Sequence, residues 1–287
     1  MKKNLKTNLI WLAIIAVVYA ILSALIVAGI INAFVAQIIT QIGINLIVAV
    51  GLNLVIGFTG QFSFGSAGFM AIGAYTSAIV TARMAPTWGT IFLSMLIGAI
   101  IAGIVAVIVG YPTLRLKGDY LAIATLGVSE IIRILIMNGG DLTNGAAGLS
   151  GIILFTDWGM TFIFAVVIII LILNFINSPS GRATLSVRED EIASESMGVN
   201  VTRVKVIAFT LGAMVTAIAG SLYAGFIGTV TPKDFTWMKS VDALIIVVLG
   251  GLGSITGTVI AAIILGLLNM FLQDFGAIRM IIYSLVL

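Results

Sequence analysis

Long apolar segments recur along most of the chain and are separated by short polar or glycine-rich connections. The apolar segments cover residues 8–31, 33–57, 66–84, 90–110, 118–138, 159–176, 205–230 and 253–273, and a further one begins near residue 276. A helix that crosses a bilayer needs about 20 predominantly apolar residues. The pattern therefore predicts an all-α, polytopic transmembrane helical bundle of eight or nine spans, in which the last helix is truncated at Leu287.

Two glycine-rich segments, 57–68 and 240–257, interrupt this pattern. Broken or re-entrant helices at membrane depth occur only where protein or a water-filled cavity satisfies their backbone, and paired interruptions in a transporter indicate the substrate path. We predict such helices here. The candidate path residues are Gly57, Gly60, Ser63, Gly65, Gly68, Gly250, Gly251, Gly253 and Ser254. The alternative is that these small residues allow close helix–helix packing.

Composition supports a membrane protein and excludes several kinds of chemistry. Hydrophobic residues make up 61% of the 287 residues and charged residues 9%, against roughly 45–50% and 25% in soluble domains. The chain contains no Cys and no His, which excludes disulfides, Cys/His zinc sites and His-dependent catalysis. We predict one transmembrane domain over residues 1–287, with no catalytic, cofactor-binding or metal-binding residues.

The distribution of Lys and Arg predicts the orientation of the chain. If the N-terminus is cytoplasmic and each span crosses once, the cytoplasmic segments carry most of the basic residues: Lys2, Lys3, Lys6, Arg115, Lys117, Arg182, Arg188, Arg203, Lys205 and Arg279. The opposite side then carries Arg83, Lys233 and Lys239. Because cytoplasmic loops of membrane proteins carry an excess of positive charge, this pattern favours a cytoplasmic N-terminus.

The most charged part of the chain is the connection 177–205. Ser186 and Glu189 have the spacing of a capping box, and the acidic residues 189–191 suit a helix N-terminus. Gly198 suits the position just after a helix. These features predict one surface helix over about residues 186–198. A helix this short is marginal in water, so it either docks on a cytoplasmic partner or is an ordinary solvated loop helix.

Two charged residues fall inside a predicted span. Glu130 and Arg133 are three residues apart in segment 118–138 and can pair on one helix face. Charges at membrane depth are costly and indicate function by default. The pair either holds helices in register, or acts as a gate or a contact for a zwitterion. A proton relay is disfavoured because the chain has no His.

Four motifs, in order along residues 45–265, resemble one transporter family. They are Gly51-Leu52-Asn53-Leu54 with Ala71 to Tyr75, Leu114 to Tyr120 with Leu126-Gly127, Ser180-Gly181-Arg182-Ala183 with Arg188 to Ala193 and Glu195, Gly198, Val199 and Asn200, and Leu249 to Ser254. The chain resembles the LivM-type permeases of the LivH/LivM permease family, which belong to ATP-binding cassette (ABC) importers for branched-chain amino acids.

The resemblance implies a permease subunit that moves branched-chain or similar small amino acids by alternating access, without being an enzyme itself. It implies a second, LivH-like permease subunit, two cytoplasmic ATPase subunits and a periplasmic or lipid-anchored binding protein, in the inner membrane of a bacterium or archaeon. It implies no nucleic acid. The chain has no Gly-x-x-x-x-Gly-Lys loop, so ATP would bind to the partner subunits. The implied ATPase-coupling residues are Arg188, Glu189, Asp190, Glu191, Ala193, Glu195 and Gly198.

Other functions stay open at this point. Related permeases in the same family carry urea or amides. An ion-coupled secondary transporter would need ion-coordinating acids within the spans, where Glu130 is the clear example. A membrane enzyme would need catalytic groups that this chain lacks. A purely structural membrane protein would not need the capped cytoplasmic helix.

Overall fold

The computed structural model describes residues 16–26, 28–29, 31–84 and 87–271. The helices in this part of the chain are α1 (Ala16–Ile26), α2 (Ala33–Thr59), α3 (Ser66–Arg83), α4 (Trp88–Thr113), α5 (Asp119–Met137), α6 (Trp158–Asn177), α7 (Pro179–Glu189), α8 (Glu191–Ser196), α9 (Val201–Ile227), α10 (Trp237–Gly250) and α11 (Ile255–Phe271). Two short strands, β1 (Leu149–Ser150) and β2 (Thr229–Val230), pair antiparallel. The predicted all-α fold is confirmed.

The predicted number of spans is not confirmed. Among the described residues, α2, α4, α5, α6 and α9 are long and apolar enough to cross a membrane, and α10 with α11 makes six if this bent pair is one span. The helix α3 covers the predicted span 66–84 but carries several hydroxyl side chains and Arg83. The predicted span 8–31 lies partly outside the described residues, and the truncated last helix lies wholly outside them.

The helix α9 is at the centre of the bundle and packs through small residues. A Cβ atom on Gly212 would lie 2.8 Å from the carbonyl oxygen of Gly51 in α2. The carbonyl of Ala217 occupies the space that a Cβ on Gly73 in α3 would need, and the Ser221 hydroxyl donates a hydrogen bond of 3.0 Å to the Gly73 carbonyl. In lipid, helices associate by such close packing rather than by the hydrophobic effect.

Both predicted helix breaks are present in the structure. Residues 60–65 form no regular structure between α2 and α3, and residues 251–254 separate α10 from α11 with a bend of 120°. The helix α11 runs back along α2, because Thr258 contacts Asn53 and Gly266 contacts Ile42. The segment 253–273, predicted to cross the membrane by itself, therefore forms α11. This helix is the second of the bent pair and runs antiparallel to α2.

The connections of the bundle lie at two opposite ends. At one end, α7 and α8 contact the C-terminal end of α2, the α4–α5 connection and the α10–α11 break. At the other end, β1 pairs with β2, and the N-termini of α4 and α6 lie beside each other. We call these the α8 end and the β1–β2 end.

The basic residues divide between these two ends as the sequence predicts. Six basic residues lie at the α8 end: Arg115, Lys117, Arg182, Arg188, Arg203 and Lys205. Arg83 and Lys233 lie toward the β1–β2 end, and Lys239 is in the first turn of α10, with its ammonium 3.5 Å from the Asn45 Oδ1 atom in α2. The remaining loop residues of the prediction, Lys2, Lys3, Lys6 and Arg279, lie outside the described residues. Within the described chain, Lys and Arg are therefore concentrated at the α8 end.

We expect Gly73→Leu to destabilise the protein by about 3 kcal/mol, because the new side chain would overlap the Ala217 carbonyl and force α3 from α9. The midpoint of thermal unfolding in detergent measures this effect. Gly127→Leu is the matched control, since no described atom of another helix lies within 4 Å of the position that its Cβ would take. Equal midpoints for the two variants would contradict the packing role of Gly73.

Candidate functional site

The segment predicted as one helix over residues 186–198 consists of two helices in the structure. The helix α7 begins at Pro179, and the Ser178 hydroxyl caps it by accepting a hydrogen bond from the Gly181 N–H at 3.2 Å. The predicted capping box at Ser186 is wrong, because the Ser186 hydroxyl donates to the Ala183 carbonyl within α7. Proline at the first helical position and serine before it favour the earlier start.

Asp190 separates the two helices and starts the second one. Its backbone is extended, and its carboxylate accepts a hydrogen bond from the Ala193 N–H at 2.9 Å. After α8, the Gly198 N–H donates to the Glu195 carbonyl at 2.9 Å. The φ angle of Gly198 is +84°, a left-handed conformation that residues with a Cβ rarely adopt. Asp190 and Gly198 thus set the two ends of α8.

Glu191 attaches α8 to the membrane helices. Its carboxylate lies 3.0 Å from the Lys205 ammonium in α9 and 3.7 Å from the Lys117 ammonium in the α4–α5 connection. The Lys205 side chain is 9% exposed, and a buried cation is strongly destabilising without its partner. Glu191 therefore fixes α8 on α9 rather than facing solvent.

The opposite surface of this region is exposed and partly apolar. Ile192 and Met197 are 74% and 85% exposed, and Glu195 is also exposed. The Glu189 side chain is 77% exposed, with its carboxylate 3.8 Å from the Arg188 guanidinium. We call these four residues, Glu189, Ile192, Glu195 and Met197, the α8 surface. Two exposed large apolar side chains, one on α8 and one directly after it, favour an interaction site here.

Arg188 reaches the bundle with one end of its guanidinium, while its Nε atom lies 3.8 Å from Glu189 of the α8 surface and its side chain is 37% exposed. Its Nη1 atom donates a hydrogen bond of 2.9 Å to the Gly57 carbonyl in the last turn of α2. The last carbonyls of a helix lack partners within the helix, and the negative end of the helix dipole attracts a cation. Arg188 therefore caps α2 from α7, although the sequence groups it with ATPase-coupling residues.

Asn53 brings the two glycine-rich segments together. Its Oδ1 atom accepts a hydrogen bond from the Gly253 N–H at 2.9 Å, and its Nδ2 atom donates to the Ser254 carbonyl at 3.1 Å and to the Thr258 hydroxyl at 2.8 Å. Gly57 has no space for a Cβ beside Asn53 and Gly253. We call Asn53, Gly57, Arg188 and Gly253 the glycine junction.

Sequence reasoning missed the role of Asn53. The residue is fully buried in the predominantly apolar C-terminal half of α2, and a buried amide needs partners that satisfy its donors and acceptor. An Asn at this position therefore indicates, from the sequence alone, that polar groups of another segment lie against its side chain. Which backbone segment supplies the partners could not be inferred, because Gly253 and Ser254 are 200 or more positions away.

Other residues of the two clusters also pack closely. The Ser63 hydroxyl accepts a hydrogen bond from the Gly65 N–H at 3.3 Å, and a Cβ on Gly68 would lie 2.8 Å from the Ser129 Cα atom. Gly250 has no space for a Cβ against Gly257. This geometry favours the close-packing alternative for Gly57, Gly68, Gly250 and Gly253, whereas a Cβ on Gly60, Gly65 or Gly251 would make only ordinary contacts. The lining of a substrate path by these residues stays a prediction.

The structure pairs Glu130 and Arg133, the two charged residues predicted to lie within the membrane. The Arg133 Nη2 and Nε atoms each lie 2.7 Å from the same carboxylate oxygen of Glu130. The side chains are 23% and 25% exposed, respectively. The pair therefore neutralises itself on α5 and remains partly accessible. Its function as a gate or as a contact for substrate stays a prediction.

Comparison with known proteins identifies similar transport permeases. The family described as "Branched-chain amino acid transport system / permease component" matches residues 34–287. The LivM permease protein of the high-affinity branched-chain amino acid transport system of Escherichia coli (strain K12) is 36% identical over 260 residues, which cover 78% of this chain. The LivH protein of Salmonella typhimurium is 29% identical over 240 residues, covering 73% of this chain and 75% of LivH.

A sugar permease is also similar. The ribose import permease protein RbsC of Haemophilus influenzae is 29% identical over 216 residues, covering 69% of this chain and 64% of RbsC. The chain spans about 60% of the length of the LivM proteins that it matches. No solved structure matches the chain.

We expect Asn53→Leu to destabilise the protein by about 2–3 kcal/mol, because the backbone and hydroxyl partners of Asn53 would be left unpaired in the bundle. Denaturant unfolding in detergent measures the change. Asn138→Leu is the matched control, since its exposed amide donates only to the local Ile134 carbonyl. A loss as large in Asn138→Leu as in Asn53→Leu would contradict the special role of the glycine junction.

Proposed function

We propose that this chain, which belongs to the family of branched-chain amino acid transport system permease components, is a permease subunit of an ABC importer for Leu, Ile and Val or similar small amino acids. It moves its cargo by alternating access and hydrolyses no ATP itself. The observation that carries this proposal is the arrangement of α7 and α8. They present the α8 surface on one side and bind α2 and α9 on the other through Arg188 and Glu191.

The proposed partners follow from this arrangement and from the family. The complex contains two cytoplasmic ATPase subunits, one of which binds the α8 surface of this chain. ATP binds to these subunits, since the chain has no phosphate-binding loop of its own. A second, LivH-like permease subunit completes the path, and a periplasmic or lipid-anchored binding protein delivers the substrate. The relatives named LivM and LivH support a cargo of branched-chain amino acids.

In our proposal the α8 end is cytoplasmic, and the N-terminus lies on the same side of a bacterial or archaeal cytoplasmic membrane. The concentration of Lys and Arg at the α8 end supports this orientation, because such residues accumulate in cytoplasmic loops. The Glu130–Arg133 pair and the residues of the two glycine-rich segments then contribute to the substrate path or to the gate that closes it.

Reconstitution of the complex in liposomes tests the proposed function. With the second permease, the ATPase subunits and the binding protein present, we expect ATP-dependent accumulation of labelled leucine, and no accumulation of urea or ribose. Uptake that an ion gradient drives without ATP, or uptake by this chain alone, would refute an ABC permease. ATP-dependent uptake of urea in place of leucine would refute the proposed cargo and leave the class of transporter intact.

Substitutions on the α8 surface test the docking of the ATPase. We expect Ile192→Glu and Met197→Glu to reduce co-purification of the ATPase subunits by about tenfold or more, because each places a charge in a desolvated contact. Leu154→Glu is the control, since Leu154 is 70% exposed and lies in the chain leading to α6 at the β1–β2 end. Normal co-purification with both α8 variants would refute docking through this surface.

A further inference from the structure

Arg188 lies at the point where three parts of the bundle meet. Its guanidinium hydrogen-bonds to the Gly57 carbonyl at the end of α2, at 2.9 Å. The same guanidinium borders the α10–α11 break, where a Cβ on Gly253 would lie 2.6 Å from Nη1 and 3.0 Å from the Gly57 oxygen. Arg188 itself is in the last turn of α7, one residue before Glu189 ends the helix.

The break and the end of α2 are already joined without Arg188. Asn53 bonds to the Gly253 N–H and to the Ser254 carbonyl, so the break cannot shift relative to α2 unless these bonds are lost. Arg188 adds α7 to this pair of elements. If α7 moves, either the Arg188–Gly57 hydrogen bond is lost, or α2 and residues 251–254 move together with α7.

We propose that Arg188 is a positioning residue that transmits the displacement of α7 and α8 to α2 and to the α10–α11 break together, and that it does not dock the ATPase. The proposal rests on the proposed function as an ABC permease. The planar guanidinium suits the role, because its fixed fork of donors holds a carbonyl in a defined direction. The missing side chain of Gly253 provides space that the guanidinium occupies, and the missing side chain of Gly57 lets Asn53 and Gly253 approach.

Arg182 provides a matched control in the same helix. Its Nη1 atom donates to the Asn177 carbonyl at 2.8 Å, an exposed contact within the α6–α7 connection. Arg182→Ala therefore removes the same charge and the same kind of hydrogen bond from α7, but it leaves the glycine junction intact. Arg188→Lys keeps the positive charge but replaces the planar guanidinium, with its several fixed N–H donors, by a single ammonium group.

The first experiment measures leucine uptake per ATP hydrolysed by the complete reconstituted complex. We expect Arg188→Ala to keep ATPase co-purification and ATP hydrolysis while lowering uptake per ATP about tenfold, the factor that a lost charge-assisted hydrogen bond corresponds to. Arg188→Lys should recover part of the loss, and Arg182→Ala should match the unmodified complex. Equal coupling in Arg188→Ala and Arg182→Ala would overturn the proposal, as would loss of ATPase co-purification in Arg188→Ala alone.

The second experiment measures amide hydrogen exchange of this chain alone in detergent. We expect Arg188→Ala to increase exchange in the last turn of α7, residues 186–190, about tenfold, because α7 is no longer held on α2, with no change in Arg182→Ala and little change at residues 251–254, which Asn53 holds. Unchanged exchange in Arg188→Ala would overturn the mechanical link. If the unmodified complex shows no ATP-dependent uptake, the proposed function fails, and the exchange measurement still decides whether Arg188 holds α7 on α2.

Discussion

The buried amide of Asn53 is the constraint on which the helix break at 251–254 depends. Backbone groups that leave a helix within a membrane have no water to bind, so protein must satisfy them. Asn53 satisfies the Gly253 N–H and the Ser254 carbonyl at once, from a position where its side chain is fully buried. The bend between α10 and α11 is therefore stabilised by a polar residue in the adjacent apolar helix.

Small residues allow the long helices of this bundle to pack closely, and charged residues attach the short helices α7 and α8 to it. Glycines and alanines in α2, α3 and α9 bring backbones together where a larger side chain would not fit. Charged residues at the α8 end connect the short helices to that bundle, through Arg188 to α2 and through Glu191 to α9. The rigid core and the surface that a partner can reach are thus joined by a few charge-assisted contacts.

The sequence predicted the long helices well and the site only in part. Segments 33–57 and 118–138 correspond to α2 and α5 within two residues, because long apolar runs have few alternatives in a membrane. The division of segment 186–198 was not predicted, since Pro179 and Asp190 act locally against a plausible capping box. The inward direction of Arg188 and the partners of Asn53 depend on contacts between residues 131 to 205 positions apart, which no local pattern encodes.

The attachment of α8 also constrains how this protein can vary in evolution. Glu191 and Lys205 form a close ion pair in which the lysine is almost fully buried. A reversal of charge at one position would place two like charges in contact, so the two positions should change together among descendants of this sequence. Lys117 is exposed and contacts the same carboxylate at a longer distance. Substitutions of Lys117 should therefore cost little stability and be under weak selection.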